Sequence, residues 1–85
     1  MPKIKVVYKK LGRHKVKQGH VLGFAHIGEN LVEIESRLIP EDNLSVLVHE
    51  LIHLAFPDAS EKEVLRAERI IGRTLWEQKF RQIKE

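Results

Sequence analysis

Eighty-five residues, 42% hydrophobic and 32% charged with a net charge of +3, describe one small globular domain and argue against a disordered segment. The chain has no cysteine, which excludes disulfides and thiolate metal sites, and no apolar run reaches membrane-spanning length. The start, Met1-Pro2-Lys3-Ile4-Lys5, lacks the apolar core of a signal peptide, so the expected location is cytoplasmic. A domain this small sits near the limit at which one core suffices without a staple, and a bound metal is the staple left to it.

Ile4 to Tyr8 is β-branched and aromatic and predicts a first strand. Lys9 to Gly19 is polar and cationic, with Gly12 and Gly19, and reads as a loop or a wide hairpin connection. His20 to Ile27 predicts a second strand. Gly28-Glu29-Asn30 is a tight turn, since Gly and Asn both tolerate the left-handed conformation. Leu31-Val32-Glu33-Ile34-Glu35 alternates apolar and acidic residues, as a strand with one buried face does. It pairs with the second strand as a hairpin.

No acidic residue occurs through residue 28, whereas Lys3, Lys5, Lys9, Lys10, Arg13, Lys15 and Lys17 all lie there. Such a patch could contact nucleic acid or an acidic partner. Lysine on an exposed strand also discourages edge pairing. That reading is preferred, because no nucleic-acid-binding signature accompanies the charge.

Ser36 to Asn43 is a connection containing Pro40, and Asp42 or Asn43 can cap a helix running from about residue 43 to about 56. Pro57-Asp58-Ala59-Ser60 breaks it. Ser60 followed by Glu63 forms a capping box, which opens a second helix over about residues 60–83 with Val64, Ala67, Ile71 and Leu75 on one face. Gly72 is a tolerated weak spot. The fold class is therefore α+β: a small, mainly antiparallel three-stranded sheet followed by a helical hairpin.

The first helix carries His49-Glu50-Leu51-Ile52-His53, an H-E-x-x-H run within an apolar stripe of Leu44, Leu47, Val48, Leu51, Ile52 and Ala55. Residues four apart share a helix face, so both imidazoles can grip one metal ion. Glu50, one residue past the first imidazole, flanks such an ion and can take a proton from water. Zn2+ suits the arrangement, since three protein ligands leave a fourth position for water. Without cysteine, the third ligand is expected to be a carboxylate. Glu61, Glu63 and Glu68 follow His53 by 8, 10 and 15 residues. At about 100° per residue, Glu68 and Glu61 project about 40° and 60° from Val64 on the same side, while Glu63 lies about 100° away on the other. Glu63 is explained by its capping role. Glu61 stands just past the turn, opposite His53; Glu68 faces His49 if the helices run side by side. Geometry leaves both open.

His49 to His53, Phe56-Pro57-Asp58, Ser60-Glu61, Val64 and the Leu75-Trp76 pair resemble the small phage and prokaryotic H-E-x-x-H proteins, which are similar to minimal gluzincin-type zinc peptidases, the minigluzincins. The resemblance covers roughly residues 43–80. It implies that a glutamate on the second helix completes the zinc site, at the position of Glu61. It also implies a three-stranded sheet whose edge strand, Leu31 to Glu35 or His20 to Ile27, aligns an extended peptide or protein substrate. Typical zincins carry a larger upper domain with an oxyanion-stabilising residue, for which this chain is too short.

The expected activity is a zinc metallopeptidase, a hydrolase in which His49, His53 and Glu61 hold the metal and Glu50 is the base. Arg37 is a candidate oxyanion or carboxylate contact, and His14, His20 and His26 are candidate assisting residues. Two competing readings follow from the same residues. One is a zinc-stabilised binding module whose basic N-terminal half contacts nucleic acid or a protein. The other is a latent protease, its cleft covered by Trp76-Glu77-Gln78-Lys79-Phe80 or by a second copy of the chain.

Overall fold

A computed structural model describes residues 3–11, 15–16, 19–20 and 22–83. It is an α+β fold in which five strands precede two helices: β1 (Lys5–Lys9), β2 (Lys15–Val16), β3 (Gly19–His20), β4 (Gly23–His26), β5 (Leu31–Glu35), α1 (Pro40–Ala55) and α2 (Glu61–Glu77). β1, β5 and β4 form the main sheet in that order, and β2 and β3 pair separately.

The β4–β5 hairpin is antiparallel, as its turn dictates, with Gly28 at φ 89° and Asn30 at φ 52°. β1 instead runs parallel to β5, so the sheet is mixed, with one pair of each kind. β5 is thereby the central strand, bonded on both sides, and of the two segments expected to align a substrate only β4 lies at an outer position of the described sheet. The expected second strand is divided into β3 and β4. The expected connection from Lys9 to Gly19 contains β2, which pairs antiparallel with β3. His14 lies outside the described residues.

The alternation along β5 decides which face meets the helices. Val32 and Ile34 are fully buried, in register with Val6 and Tyr8 on one side and with Ala25 and Gly23 on the other. Glu33 and Glu35 occupy the opposite face. There Glu33 pairs with Lys9 and with His26, whose Nε2 lies 2.6 Å from Glu33 Oε1. Lys5 and Lys9 thus stand on an edge strand, where lysine hinders further pairing. Glu35 is buried, and its carboxylate accepts from the backbone N–H of Leu11 and Arg37 and from both Nε and Nη2 of the Arg37 guanidinium.

α1 begins three residues before the expected start. Pro40 sits in its first turn, where a missing N–H costs nothing, and Ile39 provides no side-chain cap. Glu41 and Asp42 lie in that turn, where acidic side chains favour the helix dipole. α2 opens with the capping box: Ser60 Oγ accepts from Glu63 N–H at 3.1 Å, and the Glu63 carboxylate accepts from Ser60 N–H at 2.9 Å. It closes at Glu77 instead of continuing to Ile83. Lys79 adopts φ 66°, and Phe80 and Lys79 donate to the carbonyls of Leu75 and Trp76 at 3.0 Å each, a Schellman stop.

Val48 and Ile52 of α1 and the fully buried Val64 of α2 form the inter-helix core, flanked by Leu44, Ala59, Ala67 and Leu75. Trp76 and Phe80 line an apolar groove with Tyr8, Leu38, Leu44 and Leu47, away from the His pair. No helix among the described residues is long and apolar enough to cross a membrane.

Candidate metal centre

The two helices pack with their connecting turn next to His53, so the start of α2 returns alongside the end of α1. His49 and His53 sit at the margin of the α1 stripe, with ring centroids 4.9 Å apart. Their Nε2 atoms approach to 3.2 Å. Glu61, in the first turn of α2, spans the pair: Oε1 lies 2.9 Å from His49 Nε2, and Oε2 lies 3.3 Å from His53 Nε2.

Glu68 stands two turns further along α2 and meets the other side of the same imidazole, with Oε1 2.8 Å from His49 Nδ1. The two glutamates that the helical projection left undecided thus have different positions. Glu61 faces the nitrogens that point toward each other; Glu68 faces the nitrogen that points away. A carboxylate at Nδ1 favours the tautomer with the proton on Nδ1, leaving a lone pair on Nε2. That lone pair, the Nε2 of His53 and the Glu61 carboxylate then all face one point. Acceptors so placed repel unless a proton or a cation lies between them.

His49, His53 and Glu61 are a group that could hold a metal ion. A tetrahedral ion held about 2.0–2.1 Å from N and O donors separates those donors by about 3.3 Å. The two Nε2 atoms, 3.2 Å apart, are close to that edge length, while the Glu61 carboxylate straddles them, one oxygen to each nitrogen, and one donor atom from each of the three residues falls within 4.8 Å of the others. Glu61 is 62% exposed, so the group opens to solvent on its side.

Glu50 is buried, at 9% exposure. Loss of hydration raises its carboxyl above the usual carboxylate range, against the opposing pull of His49 and His53. Its burial beneath the sheet depends on Gly23. A Cβ at that position would lie 2.9 Å from Val46 Cγ1, 3.0 Å from Glu50 Cγ and 3.1 Å from the Glu33 carbonyl oxygen. Gly23 therefore lets β4, an outer strand of the described sheet, lie directly against the turn of α1 that carries Glu50. A glycine inside a strand pattern is a signal of such close approach, and the sequence reading left it unused.

The remaining candidates lie elsewhere. The Arg37 guanidinium is bound to Glu35, which it holds down to about pKa 2, and makes no contact with the His pair. His26 is on the sheet face with Glu33, and its Nδ1 lies 3.6 Å from Glu29. No model of a known protein family matches the chain, and neither a curated protein nor a solved structure gives a match.

Proposed function

We propose that this chain is a minimal zinc-dependent metallopeptidase, similar in plan to the minigluzincins. The observation that carries the reading is the convergence of His49 Nε2, His53 Nε2 and the Glu61 carboxylate at 2.9–3.3 Å, with Glu50 one residue from the first imidazole. A zinc ion bound there supplies Lewis acidity, which acidifies water and polarises a carbonyl oxygen.

The residues of the chain do the rest. His49, His53 and Glu61 hold the ion and leave one side open. Glu68 fixes the His49 ring through Nδ1. Glu50 takes the proton from the attacking water and delivers it to the leaving amine; burial raises its carboxyl above the usual carboxylate range, which makes it a stronger base than an exposed carboxylate. β4, an outer strand of the described sheet packed over Glu50 at Gly23, is the strand along which an extended peptide would align.

The test is hydrolysis of unfolded protein and peptide mixtures by zinc-loaded protein, read by mass spectrometry. Cleavage should stop with a chelator, return with zinc, and be lost in Glu50→Gln while metal binding persists. Cleavage at the normal rate by Glu50→Gln would remove the proposed base. Metal binding without cleavage of any substrate would favour the binding-module reading.

A further inference from the structure

Beside the metal centre lies a second, smaller pocket of about 310 Å³, lined by Glu41, Ser45, Glu68, Arg69, Gly72, Arg73 and Trp76. It shares Glu68 with the centre. Ser45 precedes His49 by one turn on α1, and Gly72 follows Glu68 by one turn on α2, so the pocket continues the same inter-helix groove. The groove stays open here because residue 72 has no side chain. A Cβ at Gly72 would reach 3.7 Å from Ser45 Oγ.

Arg69 and Arg73 form one wall, and both are exposed. Neither guanidinium has a hydrogen bond or ion pair among the described residues; of the two carboxylates that line the pocket, Glu68 is turned to His49 and Glu41 comes from α1, which leaves the two arginines in excess. Lys62 and Arg66 extend the same cationic line along α2, at i, i+4, i+7 and i+11. Two guanidinia one helical turn apart, without partners among the described residues and in a pocket that borders the metal centre at Glu68, are suited to a carboxylate.

We infer that Arg69 and Arg73 form a subsite for a carboxylate of the bound peptide, either an Asp or Glu side chain or its C-terminus. The inference rests on the peptidase reading for what occupies the groove. Arg69 and Arg73 lie eight and twelve residues beyond Glu61, about 12 and 18 Å along the helix axis. At about 3.3 Å per extended residue, the carboxylate sits about four or five residues from the bond to be cut.

The experiment titrates zinc-loaded Glu50→Gln protein with three peptides of otherwise identical sequence. One is blocked at both ends and contains Asp-Glu; the second replaces these with Asn-Gln; the third is the Asn-Gln peptide with a free C-terminal carboxylate. Fluorescence of Trp76, the only tryptophan in the chain, reports occupancy of the pocket it lines. The acidic peptide should bind about tenfold tighter than its Asn-Gln isostere at low salt. That margin should fall below about twofold in the Arg69→Gln/Arg73→Gln protein, with Asn-Gln binding unchanged. If only the free C-terminus confers the advantage, the carboxylate recognised is that of the chain end.

Equal affinity for all three peptides would overturn the subsite and leave the peptidase reading standing. No peptide binding would remove both. Arg-dependent preference without cleavage by the wild type would keep the subsite and remove the peptidase. Displacement of the acidic peptide by a single-stranded oligonucleotide binding more tightly than any peptide would reassign the arginines to nucleic acid and overturn the inference.

Discussion

Replacing Glu68 tests the division of labour between the two glutamates of α2. Its Oε1 lies 2.8 Å from His49 Nδ1, on the side of the ring away from the converging donors. An ion on Nε2 would then be about 6.5 Å from that carboxylate, adding the ring and one metal–nitrogen bond. For a divalent ion, Coulomb's law gives about 5 kcal/mol at an effective dielectric of about 20 and about 1.3 kcal/mol in water. Glu68 is 22% exposed, and losing its hydration offsets part of the gain, which points to the lower half of that range. Glu68→Ala should therefore weaken zinc binding about 10- to 100-fold, or about 1.4–2.7 kcal/mol, the usual cost of losing a carboxylate behind a liganding histidine. Glu68→Gln should lie at the small end, since its carbonyl still accepts from Nδ1–H but carries no charge. The assay is competition with a chromophoric chelator at fixed pH and salt. Unchanged affinity in Glu68→Ala would refute a positioning role. Complete loss, as large as in His53→Ala, would show that Glu68 is itself a ligand.

Three further outcomes follow from packing and charge. Gly72→Ala should stabilise the protein by about 0.5–1 kcal/mol, because a helical glycine is relieved and the new Cβ meets Ser45 at ordinary contact distance, whereas Gly23→Ala should cost about 1–3 kcal/mol by pushing β4 off Val46 and Glu50; urea denaturation of both checks this, and similar effects at the two sites would contradict it. Burial raises the Glu50 pKa, so the folded state holds that proton more firmly than the unfolded chain, and ionising the group costs stability as pH rises above the usual carboxylate range. Metal-free Glu50→Gln should therefore melt higher than wild type at pH 7–8, with the gap closing toward pH 4; a lower melting temperature at pH 8 would show that the ionised carboxylate is stabilising. Glu35 has the opposite sign: Arg37 holds its pKa down to about 2 from 4.5, so its contribution is complete above pH 4.5 and is lost as pH falls toward 2. Arg37→Ala should flatten that acid limb in pH-dependent melting, and an unchanged limb would remove the pair as its cause.

Much of this arrangement was legible in local sequence. The i, i+4 histidines, the capping box at Ser60 and Glu63, and the Gly28–Asn30 turn are short-range patterns whose physics needs no distant partner. Less legible were features set by tertiary contact. The parallel pairing of β1 with β5 depends on how a long connection returns, which alternation within each strand does not encode. α1 starts at Pro40 without a side-chain cap, so a boundary drawn from a capping Asp or Asn falls too late. α2 stops at Glu77, where Lys79 takes a left-handed conformation that glycine would have signalled. Glu61 and Glu68 project from the same side of α2, and only the packing of α2 against α1 assigns one to the two Nε2 atoms and the other to Nδ1. Arg37 next to Glu35 could have been read as a strand-end ion pair, since the two residues are i, i+2 and leave the same strand.

The most direct test of the account is zinc content by elemental analysis of purified protein after metal loading and desalting, for the wild type, His53→Ala and Glu61→Ala. About one zinc per chain is expected in the wild type and its loss in both variants, since removing either donor leaves two of the converging residues. A wild type that retains no zinc after loading would contradict it, and zinc retained in Glu61→Ala but lost in His53→Ala would remove Glu61 as the third ligand.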